Sequence, residues 1–274
     1  MFGTKSESNE APWAIPIAIH RENGRMHCSA TLISPRHLIT ARHCFVSDFS
    51  DGSYNYVFDG EIIAKSYCRG EDFIVPSEKS EADIHFATRC RDVEACDSIN
   101  LDTPLITRKP ALVVLPGVCS YNSLHNQLDD IAIIELDKDI LFSEKIHPAC
   151  VDFNGYVDEE FANITIYGFG YDPSDKRIQT GILRYEDSYM IQCKYGLQII
   201  CTYSFDKKQL ACKGDSGGGG VREVDGRIRL LTVLSRGEAC DELKRQKLDI
   251  HMSVHYYAKD VCKYTGVCQM FESK

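Results

Sequence analysis

Ala211-Cys212-Lys213-Gly214-Asp215-Ser216-Gly217-Gly218-Gly219-Gly220 sets one serine among five glycines, beside a carboxylate and shortly after a cysteine. Glycine lacks a Cβ, so these positions allow positive φ and close backbone approach. A turn built this way can present Ser216 as a nucleophile. It can also aim the N–H groups of Gly214 and Ser216 at one developing oxyanion. A short glycine-serine run is by itself more often a plain surface loop. The decision rests on whether the chain also supplies a histidine base and a carboxylate to orient it.

The chain has 274 residues, enough to bury a full core, and is 43% hydrophobic and 26% charged, which marks a globular protein rather than a disordered one. Its net charge is −9 and no basic block occurs, so nucleic acid and anionic membrane surfaces are poor partners. No stretch approaches the roughly eighteen apolar residues of a membrane-spanning helix. Thirteen cysteines point to an oxidising compartment and a disulfide framework. Met1-Phe2-Gly3-Thr4-Lys5 lacks the apolar centre of a signal peptide. A secreted protein is therefore expected, with a signal and pro-segment upstream of this chain. The odd cysteine count leaves one thiol without an internal partner. It is either free or joined to another chain.

Around the glycine loop the pattern is of short apolar strands separated by turn signals, which suggests an all-β barrel or sandwich. Trp13 to Ile19 reads as a strand, Met26 to Ile33 as a second, and His37 to Ala41 as a third that runs into Arg42-His43-Cys44. Tyr54 to Ile63 and Ala111 to Leu115 read as further strands around a polar region carrying Cys68, Cys90 and Cys96. Residues from about 46 to 115 thus read as a long insertion held by disulfides. Cys90 with Cys96, and Cys68 with Cys119, are the pairings it suggests, without deciding them. The spacings miss the usual zinc pattern, so neither a metal nor a cofactor is expected. Leu128 to Leu136 is a turn feeding an apolar strand. Residues from about 141 to 160 form a polar linker. Strands resume at Ile164 to Gly168, Ile199 to Cys201 and Arg229 to Ser235, and Val254 to Thr265 suits a helix.

Among nine histidines, His43 ends a strand and abuts Cys44. Cys28 lies on the preceding strand, so a Cys28–Cys44 bridge would pin the histidine where a base must be held. Asp130 precedes an apolar strand. It reads either as a turn-capping residue or as a buried carboxylate that accepts the Nδ1–H of His43. Asp129 competes for that role.

Three segments now line up. Thr40-Ala41-Arg42-His43-Cys44, Asp130-Ile131-Ala132-Ile133 and Gly214-Asp215-Ser216-Gly217-Gly218 resemble the chymotrypsin/trypsin-like serine proteases, in the order that family uses. With Cys28, Cys44, Cys212 and Cys240 the resemblance spans nearly the whole chain. It implies an all-β fold of two six-stranded antiparallel barrels with a C-terminal helix, forming a single peptidase domain over 1–274. The first barrel would cover about 13–140, the linker about 141–160, the second barrel about 161–254 and the helix about 255–265. It also implies His43 as base, Asp130 as its orienter and Ser216 as nucleophile, with the N–H groups of Gly214 and Ser216 as the oxyanion hole. Asp215 would receive an N-terminal ammonium after zymogen cleavage, and Ser235 would support the buried aspartate. Cys193–Cys201 and Cys212–Cys240 would be bridges of the second barrel.

The chain also departs from that family. Activated members begin with Ile or Val and a Gly-rich pair, whereas Met1-Phe2-Gly3 stands near that junction. The interval from His43 to Asp130 exceeds the usual by roughly forty residues. Leu210 and Ala211 align with the base of the specificity pocket, which suggests an apolar pocket that rejects Lys and Arg. Asp249 aligns with its wall, where it would attract a basic side chain or obstruct the pocket. Otherwise it is a surface loop residue after Lys244-Arg245-Gln246-Lys247. Arg236, in the Ser235-Arg236-Gly237 edge that pairs with substrate backbone, replaces an aromatic. With Lys213 it would favour acidic residues flanking the scissile bond. The cysteine pair usual near Asn163-Ile164 and the strand after Gly220 is missing. Cys262 and Cys268 would pair by the helix, leaving Cys150 to tether a pro-segment. Asn163-Ile164-Thr165 is an N-glycosylation sequon.

These features predict a secreted, monomeric serine endopeptidase acting on protein or peptide substrates and open to a protein inhibitor. The competing class is a protease homologue without activity that serves as a binding module. An unrelated disulfide-rich binding domain would make three ordered motifs a coincidence.

Overall fold

The computed structural model describes residues 3–7, 10–21, 24–48, 56–58, 61–62, 65–76, 79–91, 106–120, 129–154, 162–172, 181–193, 196–206, 211–237 and 248–269. The N-terminal half builds one antiparallel sheet. Its main strands are β1 (Ala14–Arg21), β2 (Gly24–Leu32), β3 (His37–Thr40), β4 (Asp72–Val75), β5 (Ala82–Phe86), β6 (Pro110–Leu115) and β7 (Ala132–Leu136). Hydrogen bonding orders them β5-β1-β2-β3-β7-β6-β4, with Ile106–Arg108 beyond β5 and Cys68–Arg69 beyond β4. β4 and β5 stand at opposite ends of this order, yet only residues 76–81 join them, a reach of about 20 Å. The sheet therefore has to curl around until its ends meet. The apolar side chains it encloses form one core, among them Ile17, Leu32, Phe45, Phe73, Phe86 and Leu115, all but absent from the surface. Burying each of them stabilises the fold by about 1.5–3 kcal/mol.

The C-terminal half is a closed barrel. β8 (Asn163–Gly168), β9 (Arg184–Gln192), β10 (Ile199–Ser204), β11 (Gly219–Val224), β12 (Arg227–Arg236) and β13 (Leu248–Ser253) pair in the order β9-β8-β11-β12-β13-β10, and β10 returns to β9. Thr4–Lys5 adds to the part of β9 that β10 leaves uncovered, pairing with Tyr185 and Arg184. Helix α1 (Ala258–Thr265) closes the chain, ending at Gly266 with φ 70°, whose N–H bonds the carbonyl of Cys262 at 3.0 Å. The helix is tied across to β4: Lys263 Nζ lies 2.7 Å and Tyr264 Oη 2.5 Å from Asp72 Oδ2. Among the described residues no helix is long and apolar enough to cross a membrane.

Two sequence expectations need correction. The span 46–115 is not one insertion, because β4, β5 and β6 within it are integral to the first sheet. Their pairing is long-range and their flanks are polar, which hid them. The helix begins at Ala258 rather than near 255, because His255 to Tyr257 form a turn that places the Tyr257 hydroxyl 2.5 Å from Asp129 Oδ1.

The bridges Cys28–Cys44, Cys68–Cys119, Cys193–Cys201 and Cys262–Cys268 are present. Cys90 is also disulfide-bonded. Cys96 and Cys240 lie outside the described residues, as do Met1, Phe2 and Leu210. Cys150 is an exposed thiol at the start of the short Cys150–Val151 strand, which runs parallel to β12.

Candidate active site

β3 ends at Thr40 and a short 3₁₀ turn, Arg42–Cys44, follows. The Cys28–Cys44 bridge holds that turn to β2, and His43 sits on it half-exposed. Its Nδ1 lies 2.7 Å from Asp130 Oδ2, and its backbone N–H donates to Asp130 Oδ1 at 2.8 Å. Ser235 Oγ, at the end of β12, donates to Asp130 Oδ2 at 2.5 Å. Behind the carboxylate lies Arg42, itself fully buried, with Nε 4.0 Å from Oδ1. Asp130 is 1% exposed. Burial alone would push its pKa up, but His43, then Arg42 and the Ser235 hydroxyl, outweigh burial and hold the carboxyl far below the usual range. Asp130 therefore stays ionised, accepts from the histidine ring and fixes its tautomer. Asp129 is turned to Tyr257 instead. Their different partners separate the two candidates.

The glycine loop is tied down from both halves of the molecule. Ser29 N–H donates to the Ser216 carbonyl at 2.8 Å, and Gly217 N–H to the Leu234 carbonyl at 2.7 Å. Gly217 has φ +84°, and a Cβ there would come within 2.0 Å of Thr40 Oγ1. The Lys213 carbonyl accepts from Tyr171 N–H at 2.8 Å. In a trans peptide the N–H of Gly214 lies anti to that carbonyl and so faces away from Tyr171. Among the described residues neither the Gly214 nor the Ser216 N–H donates within the chain. His43, Lys213, Gly214 and Ser216 line one cleft of about 490 Å³.

The chain belongs to the Nematode trypsin-6-like family, whose profile matches residues 2–268. It is 27% identical over 263 residues to the trypsin-like protease try-5 of Caenorhabditis elegans, covering 88% of this chain and 77% of that one. It is also 27% identical over 253 residues to the transmembrane protease serine 9 of Rattus norvegicus, covering 89% of this chain but 20% of that one. CLIP domain-containing serine protease B4 of Anopheles gambiae is 24% identical over 250 residues, covering 86% of this chain and 62% of that one. The chain thus spans only a part of several of the curated relatives it matches.

In this trypsin-6-like fold Asp215 is fully buried. Its carboxylate accepts from Gly170 N–H at 2.6 Å and Cys212 N–H at 2.8 Å. The ammonium expected to meet it belongs to a residue outside those described. The position of Asp249 is better defined. Asp249 is 3% exposed, so it is no surface loop residue. Its Oδ1 lies 2.4 Å from where a Cβ on Gly237 would stand, and that position is 3.3 Å from Ala211 Cβ. Ala211 packs into the interior of the second barrel beside Ile164, Ile200 and Leu234.

The sequence reading missed Glu186. This residue of β9 faces Asp249 across the barrel interior and is fully buried. Burial, then repulsion from Asp249 and Asp215, pushes its carboxyl well above the usual range, which favours the protonated form. Nearby, His251 bridges the Thr202 and Thr232 hydroxyls at 3.1 Å each, and burial lowers its pKa to about 3. Arg236 and Gly237 are exposed at the end of β12, and Asn163 is exposed at the start of β8.

Proposed function

We propose that the chain is a secreted serine endopeptidase that cleaves peptide bonds through an acyl-enzyme. The observation that carries this reading is the Asp130 carboxylate. It accepts from the ring and backbone of His43 and from Ser235, in a molecule where His43 and Ser216 share one cleft with Gly214. On this reading His43 takes the Ser216 proton as the hydroxyl attacks the scissile carbonyl. Asp130 stabilises the imidazolium that forms, and the Gly214 and Ser216 N–H groups receive the oxyanion. The imidazolium then protonates the departing amine, and water, activated by the same histidine, releases the acyl group.

Asp249 supports a basic residue on the acyl side of the cleaved bond. A carboxylate set between Gly237 and Ala211, backed by a protonated Glu186, offers a buried negative partner in an otherwise apolar recess. Asp215 is the receptor for a processed N-terminus, Cys150 the tether for a pro-segment, and Asn163 a glycan site. The protein acts as a monomer on protein substrates.

A fluorophosphonate probe tests the reading after N-terminal processing. Labelling of wild type that disappears in Ser216→Ala supports the protease. Absence of Ser216-dependent labelling supports the inactive homologue. A peptide library then tests the pocket: no gain for Lys or Arg over Phe or Leu removes Asp249 from its role.

A further inference from the structure

We propose that Arg91 and Lys213 form a cationic wall on the leaving-group side of the cleft, selecting peptides with an acidic residue just after the cleaved bond. This rests on the protease reading above and names a second specificity site for it.

Arg91 comes from the polar segment after β5, far in sequence from every other residue of the site. The structure carries that segment across to the second barrel and fastens it there. Cys90 bridges to Ile182, Arg91 N–H donates to the Gly181 carbonyl at 3.0 Å, and Leu183 N–H donates to the Arg89 carbonyl at 2.8 Å. The Arg89 guanidinium in turn donates to the Ser6 carbonyl. Arg91 is therefore held by its own N–H and by the paired backbone that precedes it. Its Nη1 stands 2.7 Å from where a Cβ on Gly214 would be, and its Nε 2.9 Å from the same point on Gly181. The guanidinium thus lies against the backbone of Gly214 and Gly181. At 9% exposed, Arg91 is largely withdrawn from solvent.

The rest of the cleft agrees in sign. Its basic lining groups are His27, His43, Arg91 and Lys213, and among the described residues no carboxylate lines it. This is notable in a chain with 40 acidic residues against 31 Lys and Arg. Such a recess favours an incoming carboxylate and repels a basic side chain.

The side of the scissile bond follows from what the cleft excludes. Ala211, Ser235, Arg236, Gly237 and Asp249, the residues assigned to the acyl side, do not line it. It instead reaches from Ser216 to Met26, His27 and Cys28, away from the acyl-side residues, and on the protease reading that is the leaving-group side. The sequence pairs Lys213 with Arg236 as cations flanking the bond. The structure gives Lys213 a different partner, Arg91, and leaves Arg236 out of the wall.

The test is to digest an unbiased peptide mixture and read both sides of each cut by mass spectrometry, using wild type, Arg91→Gln and Lys213→Gln. Matched peptides with Asp or Asn at the first and second positions after the bond supply kcat/KM ratios. A charge-assisted contact of this kind predicts an Asp/Asn ratio of about ten or more in wild type. The ratio should fall several-fold in each variant. Lys213 is exposed, so its variant cannot fail by misfolding. A wild-type ratio near one, or variants that keep the wild-type ratio, overturns the proposal. An Arg91→Gln protein that loses Asp and Asn peptides equally makes Arg91 a brace only and also overturns it. If wild type shows neither Ser216-dependent cleavage nor labelling, the protease reading fails and this inference falls with it.

Discussion

The hydroxyl of Ser29, on β2 of the first sheet, donates a 2.9 Å hydrogen bond to the carbonyl of Gly214, in the glycine loop of the second barrel. The same oxygen accepts the N–H of Phe169 at 2.9 Å. One side chain thus joins the Gly214–Asp215 peptide, whose N–H also donates to the Cys212 carbonyl at 3.0 Å, to the strand end at Phe169. That peptide lies between the two that carry the Gly214 and Ser216 N–H groups, so the opposite half of the molecule braces the loop from which both project.

Ser29→Ala should therefore impair turnover more than binding. The change leaves a buried N–H and a carbonyl without their partner, at about 1–3 kcal/mol. It also removes one of the two bonds that hold the Gly214–Asp215 peptide. Steady-state kinetics on an amide substrate should show kcat down about tenfold or more, with KM changed much less. A change confined to KM would mean that the Gly214 plane is held by other contacts.

Asp130→Asn should lower kcat by about 10⁴-fold, since the amide can present an N–H to the ring and favour the wrong tautomer. The stability of the variant has its own pH signature. The folded-state pKa of Asp130 is depressed, so its ionised form contributes stability above the ordinary value of 3.8. That contribution is lost as pH falls towards the folded value. The gap in denaturation midpoint between wild type and Asp130→Asn should be widest near neutrality and narrow below about pH 4. A gap independent of pH would show that the carboxylate's charge is irrelevant to folding.

Much of the site was legible because its motifs are local. The glycine loop, the His43-Cys44 pair and the turn at Asp130 each carry their chemistry within a few residues. The choice of Asp130 over Asp129 needed their partners in space, His43 for one and Tyr257 for the other. β9 and β13 were not legible. Their inward positions hold Glu186, Ser188, Asp249 and His251, so the apolar alternation that reveals a strand is broken by the polar groups that line the barrel. Arg91 was equally hidden. The neighbouring Cys90 signals a constrained segment, but nothing local says that it is fastened to Gly181 and Ile182.

Two glycines with similar backbone angles should respond very differently to alanine. Gly217 has φ +84°, and its Cβ would fall 2.0 Å from Thr40 Oγ1 and 2.2 Å from the Ser29 carbonyl. Gly226 has φ +69° in the hairpin between β11 and β12, with nothing within 4 Å. Gly226→Ala should cost about 1 kcal/mol, the strain of a left-handed alanine. Gly217→Ala adds a clash with backbone that cannot move without opening the cleft, and should cost about 3 kcal/mol or more. Urea denaturation of both variants measures the difference. Equal costs would show that the glycine loop is not packed as described.

Glu186 gives the barrel interior a dependence on pH opposite to that of Asp130. Its folded pKa is raised, by burial first and by Asp249 and Asp215 next. A raised folded pKa means full stability below the unfolded value, lost as pH rises through the folded one. Glutamine keeps the shape and the hydrogen-bonding capacity of the protonated acid but cannot ionise. Glu186→Gln should therefore match wild type near pH 4 and exceed it at pH 8 to 9, where wild type must either ionise the group or hold its proton against the solvent. A gain of about 1 kcal/mol would raise Tm by about 2–4 °C in a domain of this size. Thermal unfolding of both proteins across that range decides it. A variant less stable than wild type at pH 8 would mean that Glu186 works as an anion paired inside the barrel, and the specificity pocket would then hold two negative charges rather than one.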